Sequence, residues 1–187
     1  KLLMQNEEIV TFLQNFNSEY LNRDIDTAEV ASKYFTSSNP FVSDIDKDIY
    51  SHHDDVKALI EKHRAYYDRI NLDYENSIVN GNKDVVWIAA NGIMEKTIDE
   101  NKAFQNTIDI INNIFTNDLN DRDKLFNIRR RIADTLKENS KGEKYIWPFR
   151  VEGMLIKDKE DWMFKYLQFS LPFDCFFEGK TEAASIV

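Results

Sequence analysis

Histidine and carboxylate side chains are the groups in this sequence that could do chemistry, and His63 is the best placed of them. Apolar residues surround it at helical spacing, so the imidazole should point toward the interior of the protein. There it could act as an acid or base or contact a ligand. A lone histidine in an apolar helix stripe is, however, more often a hydrogen-bonded core residue.

A second group, His52-His53-Asp54-Asp55, has the composition of a metal site. His53 and His63 are too far apart to share one ion, because their separation corresponds to about 15 Å along a helix. The group is better explained as the start of a helix, where polar side chains cap free backbone N–H groups.

The acidic run at 44–48, Asp-Ile-Asp-Lys-Asp, resembles the beginning of a calcium-binding loop. Such a loop needs a glycine where Ile49 stands and a bidentate glutamate where Asp55 stands, so no calcium site is predicted. The sequence also contains no glycine-rich phosphate loop, nucleophile elbow or cysteine–histidine pair. We therefore predict neither a metal site nor a cofactor.

The overall composition limits the classes of protein to consider. The chain has 187 residues, 42% of them hydrophobic, and a net charge of -9, which fits one globular domain and disfavours a phosphate-binding surface. The basic run 129–131 lies among acids and is better explained as a solvated helix face. The single cysteine, Cys175, suits a reducing cytoplasm, and no apolar run approaches the roughly 20 residues that span a bilayer. We therefore predict a cytoplasmic protein that binds neither nucleic acid nor membrane.

Three helices are predicted in the N-terminal third of the chain. Apolar residues recur at helical spacing in 7–23, in 26–35, and in a segment that starts at 51–55 and runs to Ile70. Asp26 or Thr27 can cap the second of these helices.

Strands are predicted by alternating and β-rich segments after the second helix. A short strand lies around 41–45, a long one at 85–95, and an antiparallel pair at 145–156 and 162–172, joined by the polar turn 157–161. Helices combined with long antiparallel strands indicate an α+β fold, with the helices packed on one face of a curved sheet.

Residues 99–143 return to a helical pattern where the sheet would need only a short turn. Apolar stripes at 104, 108, 111, 115 and at 125, 128, 132, 136, with a break at 117–121, predict a helical hairpin inserted between two long strands. It could cap the open end of the sheet, or serve as a lid or a partner-docking arm.

The last residues, 173–187, carry no core pattern and are predicted to be a tail or linker, which leaves 1–172 as a single domain.

One face of the long strands is almost wholly apolar and should face the helices. Three small residues on it, Ala90, Gly92 and Gly153, leave room either for an internal pocket or for a bulky neighbour. The predicted ligand-binding lining is Phe16, His63, Tyr67, Ala90, Gly92, Phe149, Val151, Gly153, Leu167 and Phe169.

The other face of these strands mixes aromatic with hydrogen-bonding groups, as subunit interfaces do. The predicted interface residues are Trp87, Asn91, Arg150, Glu152, Met154, Phe164, Tyr166 and Gln168. The alternative is that the helical insertion folds back and covers this face.

Several short motifs resemble those of the NTF2-like superfamily, in particular its SnoaL-like branch. They are Leu-Asn-Arg-Asp at 21–24, the helix end Tyr34-Phe35, and the alternating series Trp162-x-Phe164-x-Tyr166-x-Gln168-x-Ser170-x-Pro172. The resemblance covers about 7–172 apart from the insertion. It implies a cone in which a strongly curved antiparallel sheet wraps around three N-terminal helices and encloses a pocket. It also implies a homodimer formed through the outer sheet face, and it is compatible with a fused or partner signalling output domain.

The same family offers one enzymatic precedent, proton transfer of the steroid-isomerase kind, which needs a carboxylate base and acidic donors to stabilise an enolate. By this resemblance Asp44 lies near the position of the base. Phe16 and the segment 151–153 fall near the positions of the donors, so a developing oxyanion would lack a partner. We therefore expect Asp44 to be a solvated loop residue.

These observations favour a non-catalytic small-molecule-binding or sensory dimerisation module with an internal pocket for an unknown apolar ligand. The alternative is an isomerase, cyclase or hydratase that acts on a small apolar substrate with Asp44 and His63 as acid-base groups. A third hypothesis is a structural dimerisation domain whose interior is filled.

Overall fold

The computed structural model describes residues 2–45 and 48–171. The helices in this part of the chain are α1 Leu2–Glu19, α2 Thr27–Tyr34, α3 His53–Tyr66, α4 Glu100–Thr116 and α5 Asp121–Asn139. The strands are β1 Phe41–Ser43, β2 Ile49–Tyr50, β3 Arg69–Leu72, β4 Ile78–Gly81, β5 Val85–Thr97, β6 Lys144–Asp158 and β7 Asp161–Ser170. None of the described helices is long and apolar enough to cross a membrane. The predicted tail, 173–187, lies outside the described residues.

The strands form one open, curved sheet in the order β2-β1-β7-β6-β5-β3, and β4 pairs with β5 next to β3. The three long strands are antiparallel neighbours, whereas the short β1 runs parallel to β7. α4 and α5 occupy the connection between β5 and β6. The predicted α+β fold with a helical hairpin between two long strands is therefore confirmed.

Polar side chains fix where several helices begin. Asp26, Asp99 and Asn120 precede α2, α4 and α5, and the side chain of each accepts a backbone N–H from the first turn. Each such cap satisfies a donor that has no partner within the helix. The hairpin ends at Gly142, whose φ of +99° is a conformation that glycine adopts at little cost.

A β-bulge in β7 changes which of its side chains face the helices. Met154 pairs with Tyr166 but Leu155 pairs with Phe164, so Lys165 is an extra residue. The alternation is inverted beyond it. The prediction that Phe164 belongs to the outer interface is therefore wrong, because its side chain turns inward and is fully buried.

The ring of Phe164 is part of an aromatic cluster between the helices and the sheet. Its centroid lies 5.1 Å from that of Phe12 and 5.2 Å from that of Phe16, both in edge-to-face geometry. The ring of Phe35 lies 5.7 Å away on another side. Such pairs stabilise a core beyond the area that they bury. The cluster joins α1 and the end of α2 to β7.

Candidate functional site

The residues predicted to line an internal pocket lie between the helices and the sheet, where most of them are buried. Seven of them are at most 3% exposed, namely Phe16, His63, Ala90, Phe149, Val151, Leu167 and Phe169. Gly153 is also buried, whereas Tyr67 and Gly92 are half-buried. Ring contacts link members of this set, with centroids 6.2 Å apart for Phe149 and Phe169 and 5.2 Å apart for His63 and Phe169.

The two glycines of this set leave space that aromatic neighbours occupy. A Cβ atom on Gly92 would lie 2.7 Å from the Phe149 ring. One on Gly153 would lie 2.9 Å from the backbone oxygen of Tyr166 and 3.1 Å from the Phe164 ring. Both distances to the rings are too short for an ordinary contact. These glycines therefore agree with the alternative in which small residues admit bulky neighbours.

In the part of the chain that the structure describes, two open cavities lie elsewhere. One of about 520 Å³ is bordered by 71–75 on β3 and its following loop and by 91–93 on β5. The other, of about 420 Å³, lies near Phe35, His53 and Lys159. Of the residues predicted to line the internal pocket, Gly92 borders the first cavity.

Three polar side chains from separate elements form a buried chain of hydrogen bonds. The Tyr20 hydroxyl, just after α1, lies 2.9 Å from Nδ1 of His63 on α3. Nε2 of the same ring lies 2.9 Å from a carboxylate oxygen of Asp44, which follows β1. Tyr20, His63 and Asp44 are 0%, 2% and 5% exposed. The second carboxylate oxygen is 3.1 Å from Nζ of the more exposed Lys62.

The expectation that Asp44 is a solvated loop residue is therefore wrong. Its position directly after a short strand does not reveal that the segment packs against α3. The apolar helix stripe around His63 favoured a hydrogen-bonded core residue, and His63 is buried and hydrogen-bonded on both ring nitrogens. The structure thus brings together both residues that were considered for acid-base chemistry.

The protonation states in this chain follow from its surroundings. Burial raises the pKa of Asp44, but the hydrogen bond and electrostatic attraction of His63, with hydrogen bonds from the Ile45 N–H and Lys62, outweigh burial and hold that pKa at about 2. The ionised carboxylate can only accept, so Nε2 of His63 carries a proton. The other ring nitrogen, Nδ1, is the atom within hydrogen-bond distance of the Tyr20 hydroxyl. Burial, and next the Asp44 charge, raise the pKa of Tyr20 well above its ordinary value, so the hydroxyl keeps its proton.

Arg64, the residue after His63, ties α3 to α1 in a second way, which the sequence does not predict. Its guanidinium donates to the backbone oxygen of Tyr20 at 3.0 Å and to that of Ile25 at 2.6 Å. It thereby satisfies carbonyl groups at and beyond the end of α1. The position of an arginine next to an apolar helix stripe carries no signal for this role.

The predicted helix start at 51–55 agrees with α3, which begins at His53. The backbone N–H of His52 donates to the Asp55 carboxylate at 3.2 Å. Among the described residues, no three histidine, cysteine or acidic side chains are grouped so that they could hold a metal ion.

A row of aromatic and apolar side chains crosses the outer face of the sheet. Phe41 on β1 pairs with Tyr166 on β7, which pairs with Met154 on β6, which pairs with Trp87 on β5. The ring centroids of Phe41 and Tyr166 are stacked 5.7 Å apart, and those of Trp87 and Tyr166 are 6.3 Å apart. Trp87 is 55% exposed and Phe41 40% exposed. We call these four residues the outer row.

Polar side chains flank the outer row. Nε of Arg150 donates to the amide oxygen of Asn91 at 3.1 Å, and the Tyr166 hydroxyl is hydrogen-bonded to Gln168. Apart from Phe164, every predicted interface residue is at least partly exposed. The helical insertion therefore leaves this face open. Phe41 was not predicted on this face, because the parallel pairing of β1 with β7 has no local signal in the sequence.

No family model and no curated protein matches the sequence. Solved structures, however, share its architecture. An NTF2-like superfamily protein from Salmonella enterica serovar Typhimurium is 8% identical, with a TM-score of 0.60 over 96% of this chain and 100% of that chain. A protein from Xanthomonas campestris, provisionally named a calcium/calmodulin-dependent protein kinase II association domain, is 10% identical, with a TM-score of 0.57 over 90% of this chain and 88% of that one.

A third similar structure is a protein from Novosphingobium aromaticivorans, provisionally named a scytalone dehydratase. It is 10% identical, with a TM-score of 0.55 over 91% of this chain and 86% of that one. Identities this low bear on the fold alone, so the assignment to the SnoaL-like branch stays a prediction. Since each likeness extends over most of both chains, the protein has the NTF2-like fold that its motifs predicted.

Proposed function

We propose that this protein is a non-catalytic assembly module that forms a homodimer through the outer face of its sheet. The observation that carries the proposal is the outer row, which sets an indole, two other aromatic rings and a thioether side by side on an exposed surface. Aromatic residues and methionine are enriched at the cores of protein interfaces, and exposed apolar patches commonly mark them.

The residues around the outer row suit an interface between identical copies. A two-fold contact joins the same patch on both subunits, so each side chain must be compatible with its counterpart. Apolar rows satisfy this condition without unpaired charge. Arg150 and Glu152 lie beside the row with opposite charges, and a two-fold axis can set the arginine of one subunit against the glutamate of the other.

The interior supports a structural role better than ligand binding or catalysis. Aromatic rings occupy the space beside the small residues on the inner sheet face. Asp44 and His63 are buried and serve each other as hydrogen-bond partners. A carboxylate whose pKa is about 2 is also a weak base at neutral pH. The likeness to a protein named as an association domain agrees with assembly, whereas the likeness to one named as a dehydratase agrees with the enzymatic alternative.

Replacing Trp87 with glutamate tests the proposal. The change puts a charge at the β5 end of the outer row, at its most exposed side chain, and we expect the dissociation constant of the sheet-face contact to rise at least about 100-fold, which corresponds to about 2.7 kcal/mol. Sedimentation equilibrium over a range of protein concentrations measures it. Phe126→Glu is the control, since Phe126 is similarly exposed but lies on α5, which contacts chiefly α4. A wild-type protein that stays monomeric at about 100 μM, or a Trp87→Glu variant that dimerises like wild type, would contradict the proposal.

A further inference from the structure

The hairpin of α4 and α5 packs chiefly on itself. Its two helices meet along a seam, where Ala103 and Ile128 are buried and the Thr107 and Thr135 hydroxyl oxygens lie 2.7 Å apart. The first and last residues of the hairpin connect it to the sheet. There the Ile98 N–H donates to the backbone oxygen of Glu143, just before β6, at 3.0 Å. It therefore extends from the ends of β5 and β6 as a unit of two antiparallel helices.

Most of the apolar stripes predicted for these helices are exposed. Ile108, Phe115, Leu125, Ile132 and Leu136, together with Leu119 between the helices, are between 40% and 63% exposed. They therefore do not cap the open end of the sheet, which was one of the two roles considered for the insertion.

Helical geometry places both exposed stripes on the same side of the hairpin. The α4 stripe at 104, 108, 111 and 115 follows by one residue the positions 103, 107, 110 and 114, which are buried or half-buried. On α5, Leu125 and Leu136 follow by one residue Lys124 and Thr135, which are half-buried and buried, and Ile132 lies on the same side of the helix as Leu125 because it is seven residues later. One residue corresponds to a rotation of about 100° about the helix axis. Because the helices are antiparallel, the two rotations have opposite senses when viewed along one axis. They bring the stripes to one common surface, which we call the hairpin face.

We propose that the hairpin face docks onto the hairpin face of a second copy of this chain, so that the four helices form an antiparallel bundle. The proposal goes beyond dimerisation through the sheet, because it concerns a separate surface on separate elements.

The extent of the hairpin face fits this occupant. Its five exposed side chains present roughly 540 Å² of mainly apolar surface, taking about 200 Å² for a fully exposed large side chain. That is at the upper end of the apolar patches, about 300 to 600 Å², that monomers expose. Two copies would bury roughly 1,100 Å² in total, which clears the approximately 1,000 Å² expected of a biological interface.

The charges on the hairpin favour one arrangement of the two copies. α5 contains six basic and four acidic residues, whereas α4 contains one basic and two acidic residues. Arg129, four residues after Leu125, lies on the same side of α5 as the stripe. Stacking α5 on α5 would therefore bring arginines of both copies together. Stacking α5 of one copy on α4 of the other avoids this repulsion. Each helix then lies beside antiparallel neighbours, as in up-down four-helix bundles.

The test compares Ile108→Asp with Asn113→Asp in the full chain. Both variants add a carboxylate to α4, but Ile108 lies in the hairpin face and Asn113 on the opposite side of the helix. Molar mass by light scattering and sedimentation velocity are measured from about 1 to 100 μM, with circular dichroism to verify folding. We expect Ile108→Asp to raise the dissociation constant of the hairpin contact at least about 100-fold and Asn113→Asp to leave it unchanged. Leu125→Gln, an uncharged change on α5, should weaken the same contact by a smaller factor.

Combining variants separates this proposal from the sheet-face dimer. If both surfaces associate, the wild type forms an assembly larger than a dimer, Ile108→Asp and Trp87→Glu each reduce it to a dimer, and the double variant is monomeric. A wild-type dimer that only Ile108→Asp dissociates would overturn the sheet-face proposal and support the hairpin contact. If Ile108→Asp and Leu125→Gln both associate like the wild type, the hairpin proposal is wrong.

Discussion

Replacing Phe164 with alanine is expected to lower the free energy of unfolding by about 3 to 5 kcal/mol. The ring is fully buried and contacts rings from α1 and from the end of α2. Its removal would leave a cavity where the helices meet β7, and surrounding rings in a packed core relax only partly into such a space. Urea unfolding monitored by circular dichroism, at one fixed protein concentration for all variants, measures the change.

Phe126→Ala is the matched control for this experiment. It removes the same atoms from an exposed position on α5, so we expect the free energy of unfolding to stay within about 0.5 kcal/mol of the wild type. A loss below about 1 kcal/mol for Phe164→Ala would mean that the ring is not part of the packed core. In that case β7 would follow uninterrupted alternation and the bulge at Lys165 would be absent.

The helices and long strands could be predicted from the sequence because their signals are local. Helical spacing predicts the apolar side of α1, and Asp26 is recognisable as a cap before α2. The insertion is also visible, since the break at 117–121 separates two helical stripes that the structure places in α4 and α5. Each of these features depends on residues within a few positions of one another.

The features that the sequence did not predict depend on contacts between distant segments. The bulge in β7 is defined only by its pairing with β6, so alternation alone put Phe164 on the wrong face. Asp44 is buried because His63 on α3, nineteen residues later in the chain, is its hydrogen-bond partner. Phe41 belongs to the outer row because β1 pairs in parallel with β7, and no local sequence pattern predicts this pairing.

The candidate surfaces were predictable in part for the same reason. Alternation correctly assigned Trp87, Met154 and Tyr166 to one face of the sheet. Periodicity likewise identified the apolar stripes of the insertion. A stripe shows that a surface is apolar but does not name what covers it, and the side chains of the hairpin face are exposed in the single chain.

Replacing Asp44 with asparagine is expected to cost about 2 to 4 kcal/mol of unfolding free energy at pH 7. The ionised carboxylate accepts hydrogen bonds from His63, Lys62 and the Ile45 N–H, and an uncharged amide oxygen accepts them more weakly. Asp118→Asn, the same chemical change in the exposed turn between α4 and α5, should have an effect within about 0.5 kcal/mol.

The pH dependence of the Asp44→Asn effect follows from the lowered pKa of the carboxyl group. That pKa is about 2 in the folded protein against 3.8 ordinarily, so the unfolded chain binds more protons between these values. The carboxylate therefore contributes about 2 kcal/mol above pH 4, and this contribution is lost as the pH falls toward 2. The pKa values of Glu8 and Glu19 are also lowered, so the informative quantity is the difference between wild type and variant, which should shrink across this range.

The same variant distinguishes a structural role of Asp44 from a role in assembly. Asp44 packs on the helix side of the sheet, whereas the outer row lies on the opposite side. Asp44→Asn should therefore lower stability while the dissociation constant of the folded dimer stays within about twofold of the wild type, a change of about 0.4 kcal/mol. A stability difference that does not vary between pH 7 and pH 2.5 would contradict the ionised, hydrogen-bonded carboxylate. The association of α1, α3 and β1 within the fold would then depend on packing and on Arg64 rather than on the buried charge.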